Sequence, residues 1–231
     1  MLLIFKQLIS PKPFVRFSNR LLPWLALALF ILLPYGILSA LYFSPPDAVQ
    51  GDGYRMIYVH VPCAFLSIFI YSVMASSAAL SLIFRLKLTT LIMKESISIG
   101  ALFTFLALIT GSIWGKPMWG TYWMWDARLT SELILLFLYL GILLFQKATA
   151  HTRTQDTRCA ILILVGFIDI PIIHYSVTWW NTLHQGATLK LFQSSFIDKT
   201  MLYPLLAMVA SALIYYAIVL CLRIRSRLIF E

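Results

Sequence analysis

Long apolar runs, four of them without a charge, alternate along this chain with short stretches that are basic or rich in aromatic residues, and the runs recur six times. Positions 21–43 carry no charge and are interrupted by Pro23 and Pro34. Positions 57–84 are uncharged, with His60 near their start, and 96–115 are uncharged as well. Positions 129–145 hold one acid, Glu132; 159–180 hold Asp169 and His174; 201–222 are again uncharged. Each run is near the ~20 residues an α-helix needs to cross ~30 Å of hydrocarbon. The pattern predicts an all-α fold: a polytopic bundle of six transmembrane helices forming a single domain over 1–231.

Composition agrees. The 231 residues are 61% hydrophobic and 12% charged, where soluble domains carry about 25% charged residues. This leaves almost no soluble mass. The placement of lysine and arginine gives orientation. Thirteen fall before the first run, in the second and fourth loops and in the C-terminal tail; five (Arg55, Lys116, Arg128, Lys190 and Lys199) fall on the other side. Both termini are therefore expected in the cytoplasm. The net charge of +9 reads as topological signal beside anionic lipid, with no nucleic-acid partner needed to explain it. Residues 1–20 are apolar and basic but lack a long apolar core and a small-residue cleavage site, so they read as a segment lying on the cytoplasmic interface. The three cysteines, Cys63, Cys159 and Cys221, form no CxxC or CxxCH and read as small apolar filler. There is no GxxxxGK[ST] loop, so any ATP is used by a partner.

The unusual chemistry collects on the outer side. "WGTYWMWD", Trp119 to Asp126, follows Trp114 closely, so four of seven tryptophans lie between positions 114 and 125. One or two per helix end make an ordinary aromatic belt, and Trp24 fits that account. Four in twelve positions suggest a binding surface, broken by Gly115, Pro117 and Gly120 into short interfacial pieces over 114–130. Trp119 and Trp123 share a face wherever this stretch is helical. A flat, apolar ligand with a charged edge suits such a surface. Haem is one: its iron takes axial imidazoles and its propionates take arginine or lysine. The outer loops offer His60, His184, Arg55, Lys116 and Arg128. A quinone also suits tryptophan but gives less reason for two outer histidines.

Other polar residues have blander readings. His151, in a basic inner loop, is no ligand. His174, about two turns inside the membrane, reads as buried and hydrogen-bonded, with support of the site from beneath as the alternative. Asp169 reads as a protonated acid capping a carbonyl freed by the kink at Pro171, with a proton or substrate pathway as the alternative. Glu132 faces a polar outer cavity or pairs with Arg128, four residues earlier.

The stretch "WGKPMWGTYWMWDARLTSELILL" resembles the tryptophan-rich WWD signature of a haem-handling membrane family. With "YRMIYVHVP" and "HYSVTWWNTLHQG", the chain most resembles the cytochrome c maturation protein C family (CcmC), over nearly its whole length. The resemblance implies a binding protein rather than an enzyme, in the bacterial inner membrane, with its haem site facing the periplasm. It implies His60 and His184 as axial ligands of a transiently bound haem b. It implies Trp114, Trp119, Trp123, Trp125 and Asp126 as the platform. Partners would be the haem chaperone CcmE, the ABC transporter subunits CcmA and CcmB, and the small single-span protein CcmD. In the mechanism expected from both lines, Arg128, and then Arg55 or Lys116, pair with propionates. His184, in the longer loop, is the ligand that lets go at handover. Two rival classes are an electron-transfer cytochrome, whose histidine pairs would lie deeper in the membrane, and a permease for haem or another small solute, which Asp169 keeps open.

Overall fold

A computed structural model describes residues 11–149, 152–184, 186 and 197–230. Residues 1–10 of the expected interfacial segment and His151 lie outside the described residues. The described chain is helical, with no strand. Helix α1 spans Pro11–Leu38 and passes into a wider π turn, Ser39–Phe43. A 3-10 turn, Asp52–Met56, leads into α2, Ile57–Phe84. Then come α3, Lys87–Trp119; α4, Ala127–Ala148; α5, Arg153–Gly166; α6, Asp169–Trp179; and α7, Lys199–Phe230. With α5 and α6 sharing one crossing, six helical stretches are long and apolar enough to span a membrane.

Helices α2 and α3 pack along most of their length; α4 with α5 and α6 closes one flank, and α7 the other. Helix α1 lies outside, against α7, with most of its surface open to lipid or partners. Leu66, Ile70, Met74, Met93, Ile97, Leu135, Ile163 and Ile173 are fully buried at the centre. Glycine makes the close approaches, as in other membrane bundles. A Cβ at Gly100 would lie 2.2 Å from Cε1 of Tyr139, and one at Gly166 2.1 Å from the Tyr71 hydroxyl oxygen.

Three departures from the sequence pattern have physical causes. The third crossing is longer at both ends than 96–115. At its inner end Lys94 pairs with Asp156 at 2.8 Å and Glu95 with Arg227 at 2.9 Å, so the helix persists beyond the apolar run. At its outer end Gly115 and Pro117 do not break it. Pro117 lies in the last turn, and α3 stops only at Gly120, whose φ of 78° favours glycine and whose N–H reaches Lys116 O at 3.0 Å. The fifth crossing is interrupted at Phe167–Ile168 by a tighter turn, in which Ile168 N–H donates to Val165 O at 3.3 Å and Ile170 N–H to Phe167 O at 3.1 Å while the backbone stays right-handed. Pro171 then sits in the first turn of α6, where its missing N–H leaves no bond unmade.

Candidate functional site

His60 stands in the first turn of α2, entered through the 3-10 turn. Its Nδ1 lies 3.0 Å from the carbonyl of Ala107 and 3.3 Å from Thr110 Oγ1, both on α3. A carbonyl only accepts, so Nδ1 carries the proton and Nε2 keeps its lone pair, the form a metal requires. The ring fits there because residue 111 is glycine: a Cβ would lie 2.9 Å from His60 Cε1. One turn further along α3, Trp114 meets the ring edge to face at 5.7 Å. Its Nε1 donates to Gln50 Oε1 at 3.1 Å, and the Gln50 N–H donates to Asp47 Oδ1 at 2.8 Å. The loop before α2 is thereby tied to α3.

His184 comes from the loop after α6. Its ring centre is 6.2 Å from that of His60, inclined at 46°, and also 6.2 Å from Trp119. Its N–H donates to Thr182 Oγ1 at 3.0 Å, and the Thr182 hydroxyl donates to Asp126 Oδ2. The other oxygen of Asp126 caps α4 by accepting from Leu129 N at 2.8 Å. Two residues 124 positions apart in sequence, His60 and His184, thus face each other at one end of the bundle.

The four tryptophans do not form one flat surface. Trp114 and Trp119 flank the histidines. Trp123 and Trp125 lie in the non-helical link after Gly120 and pack edge to face on each other at 5.4 Å, with Trp125 77% exposed. Because α3 ends at Trp119, Trp119 and Trp123 share no helical face.

The cations are largely engaged. Arg55 donates through Nε to Asp52 at 3.0 Å and through its terminal nitrogens to the carbonyls of Ala40 and Ser44, holding the end of the first crossing to the loop before α2. Lys116 Nζ donates to Gly120 O at 3.0 Å. Arg128 donates to Ile173 O at 2.6 Å, tying α4 to α6.

Glu132 is buried and accepts from Ser67 Oγ at 2.6 Å. It forms no ion pair with Arg128 among the described residues, although the Arg128 charge reaches it. His174 is exposed, not buried, and meets Tyr175 edge to face at 4.8 Å. Asp169 is buried, and its Oδ2 has no hydrogen-bond partner among the described residues, so it caps no carbonyl through that atom. Sequence reasoning missed Ala107, Thr110, Gly111, Gln50 and Thr182. Of these only Thr182 left a signal, a hydroxyl two residues before a histidine, the spacing of a local side-chain turn.

Residues 4–231 match the family described as Heme exporter protein C. The chain is 46% identical over 220 residues to Heme exporter protein C of Escherichia coli strain K12, covering 95% of this chain and 89% of that protein. The chain belongs to the Heme exporter protein C family. Within it, the Haemophilus influenzae Heme exporter protein C is 44% identical over 222 residues, covering 96% of this chain and 90% of its own length. A putative cytochrome c biosynthesis ccmC-like mitochondrial protein of Marchantia polymorpha is 48% identical over 182 residues, covering 79% and 77%. The likeness spans all six crossings, and the histidine pair lies inside it.

Proposed function

We propose that this chain binds haem b as cargo on the outer face of the bacterial inner membrane and delivers it to the haem chaperone CcmE, working beside CcmA, CcmB and CcmD. His60 and His184 are the axial ligands in this reading. One observation carries it: the separation of the two rings. Two metal–imidazole bonds of about 2 Å, each extended by about 1 Å to the ring centre, place two axial rings roughly 6 Å apart. The two centres here are 6.2 Å apart. The Ala107 carbonyl supports the assignment by fixing the His60 tautomer and ring orientation, as partners of metal-bound histidine generally do. Trp114 and Trp119 supply apolar walls beside the rings, and exposed Trp125 extends the aromatic surface outward. Arg128 lies within electrostatic reach of His60 and is the cation best placed for a propionate. Arg55, bound to its own loop, is a structural support first.

The test is the absorption spectrum of the purified, haem-loaded protein, oxidised and reduced. Wild type is expected to show a low-spin, bis-imidazole spectrum. His60→Ala and His184→Ala are each expected to turn high-spin or lose haem. A double alanine variant that keeps full haem occupancy and fully loads the chaperone would overturn the reading.

A further inference from the structure

The loop carrying His184 leaves α6 at Trp179, where the Trp180 N–H closes the helix on Ser176 O at 3.1 Å. From Trp180 to His184 it has no regular structure. A ligand on such a loop needs something to fix its distance from a partner on a rigid helix. Thr182 does this with both functions of its hydroxyl. The oxygen accepts the His184 N–H at 3.0 Å, and the hydrogen goes to Asp126 Oδ2. Asp126 is the N-cap of α4, and its second oxygen holds the N-terminus of that helix by accepting from Leu129 N at 2.8 Å. Arg128, in the first turn of α4, donates to Ile173 O on α6 at 2.6 Å, so the platform to which the loop is tied is braced against α6.

We propose that the Asp126–Thr182 hydrogen bond is a latch that sets His184 at ligating distance from His60, and that haem is released when it opens. The inference rests on the haem reading above and assigns a positioning role to two residues outside the ligand pair. Capping α4 requires only Oδ1 of Asp126; the bond from Oδ2 to Thr182 adds nothing to that helix and serves the loop. A hydroxyl-to-carboxylate bond is short and strong when made, yet at this half-exposed site water can replace it. That combination suits a bond meant to break. Asp126 is then a support of the ligand loop rather than a surface on which haem lies.

Thr182→Val keeps the shape of the side chain and removes the hydroxyl, leaving the cap of α4 intact. Thr182→Ser restores the hydroxyl. Asp126→Asn keeps a good cap and removes the carboxylate charge. Each full-length variant is loaded with haem and compared with wild type and His184→Ala by absorption spectrum and by the rate of haem transfer to excess apomyoglobin. Thr182→Val is expected to show a high-spin fraction and to lose haem on the order of ten- to a hundred-fold faster, the factor that loss of a charged hydrogen bond implies. Asp126→Asn is expected to move the same way, and Thr182→Ser to match wild type. If His184→Ala loses the low-spin spectrum while Thr182→Val keeps both spectrum and rate, the latch is overturned and the haem reading stands. If His184→Ala is itself unchanged, both fall. A Thr182→Ser variant as defective as Thr182→Val also overturns the latch, because bulk rather than the hydroxyl would then be at fault.

Discussion

Gly111 separates the stability of this protein from its binding. In a helix interior, alanine is worth up to about 1 kcal/mol more than glycine. Gly111→Ala is therefore expected to leave the fold as stable or make it slightly more so. Its new Cβ, however, would lie 2.9 Å from Cε1 and 3.3 Å from Nδ1 of His60. The ring must swing away and weaken its bond to Ala107 O. Loss of one such hydrogen bond costs roughly 1 kcal/mol, so haem affinity is expected to fall about five- to tenfold with no fall in melting temperature. Haem titration beside thermal unfolding in detergent checks this. A coincident drop in both would mean that residue 111 matters to the α2–α3 packing rather than to the ring. The same residue marks a limit of the sequence. The pairing of His60 with His184 was legible, and the structure brings the two rings together. The glycine that admits one ring was not legible, because it acts through a contact between helices; the threonine beside the other left only its local spacing, and its bond to Asp126, 56 positions away, left nothing.

Among the elements, the seam between α3 and α4 is set by one pair. Tyr139 is fully buried and donates to Ser67 O at 2.8 Å, and its ring covers Gly100. Here a Cβ would fall 2.2 Å from the ring, and the ring is not free to yield without losing that bond. Gly100→Ala is expected to destabilise the protein by about 1–3 kcal/mol as an overpacked core, read as a lower unfolding temperature in detergent. Protein that remains folded is expected to keep its haem spectrum, since the seam lies away from the histidines. The six crossings were readable because apolar runs of this length, even with a single acid inside, have one physical outcome in lipid. Their ends were not. Lys94 and Glu95 look like loop residues until Asp156 and Arg227 are brought to them, and Gly115 and Pro117 look like breaks until Gly120 supplies the real stop. The aromatic cluster was readable as a concentration of tryptophan, but its division into two pairs follows from that stop and from nothing local.

Across the whole molecule, function depends on which end of the bundle faces out. On α3, twenty residues separate Lys94 from Trp114, about 30 Å of helix and so about one hydrocarbon thickness. The cluster of Lys94, Glu95, Asp156, Arg223 and Arg227 therefore sits at one membrane surface and the histidine pair at the other. The bias of lysine and arginine toward the first surface is the ground on which the sequence assigns it to the cytoplasm, and that assignment is testable. An alkaline phosphatase reporter, which folds only after export, is expected to be active when fused in the Gly120–Asp126 link. It is expected to be inactive when fused after Arg85 or at the C-terminus. This pattern would put His60 and His184 where a periplasmic acceptor reaches them, and haem would then have to arrive at that face before the pair could hold it. The reverse pattern would place the pair in the cytoplasm. It would keep the ligand geometry and remove the chaperone on the outer side from the mechanism, leaving a cytoplasmic haem-loading step as the role the same residues could serve.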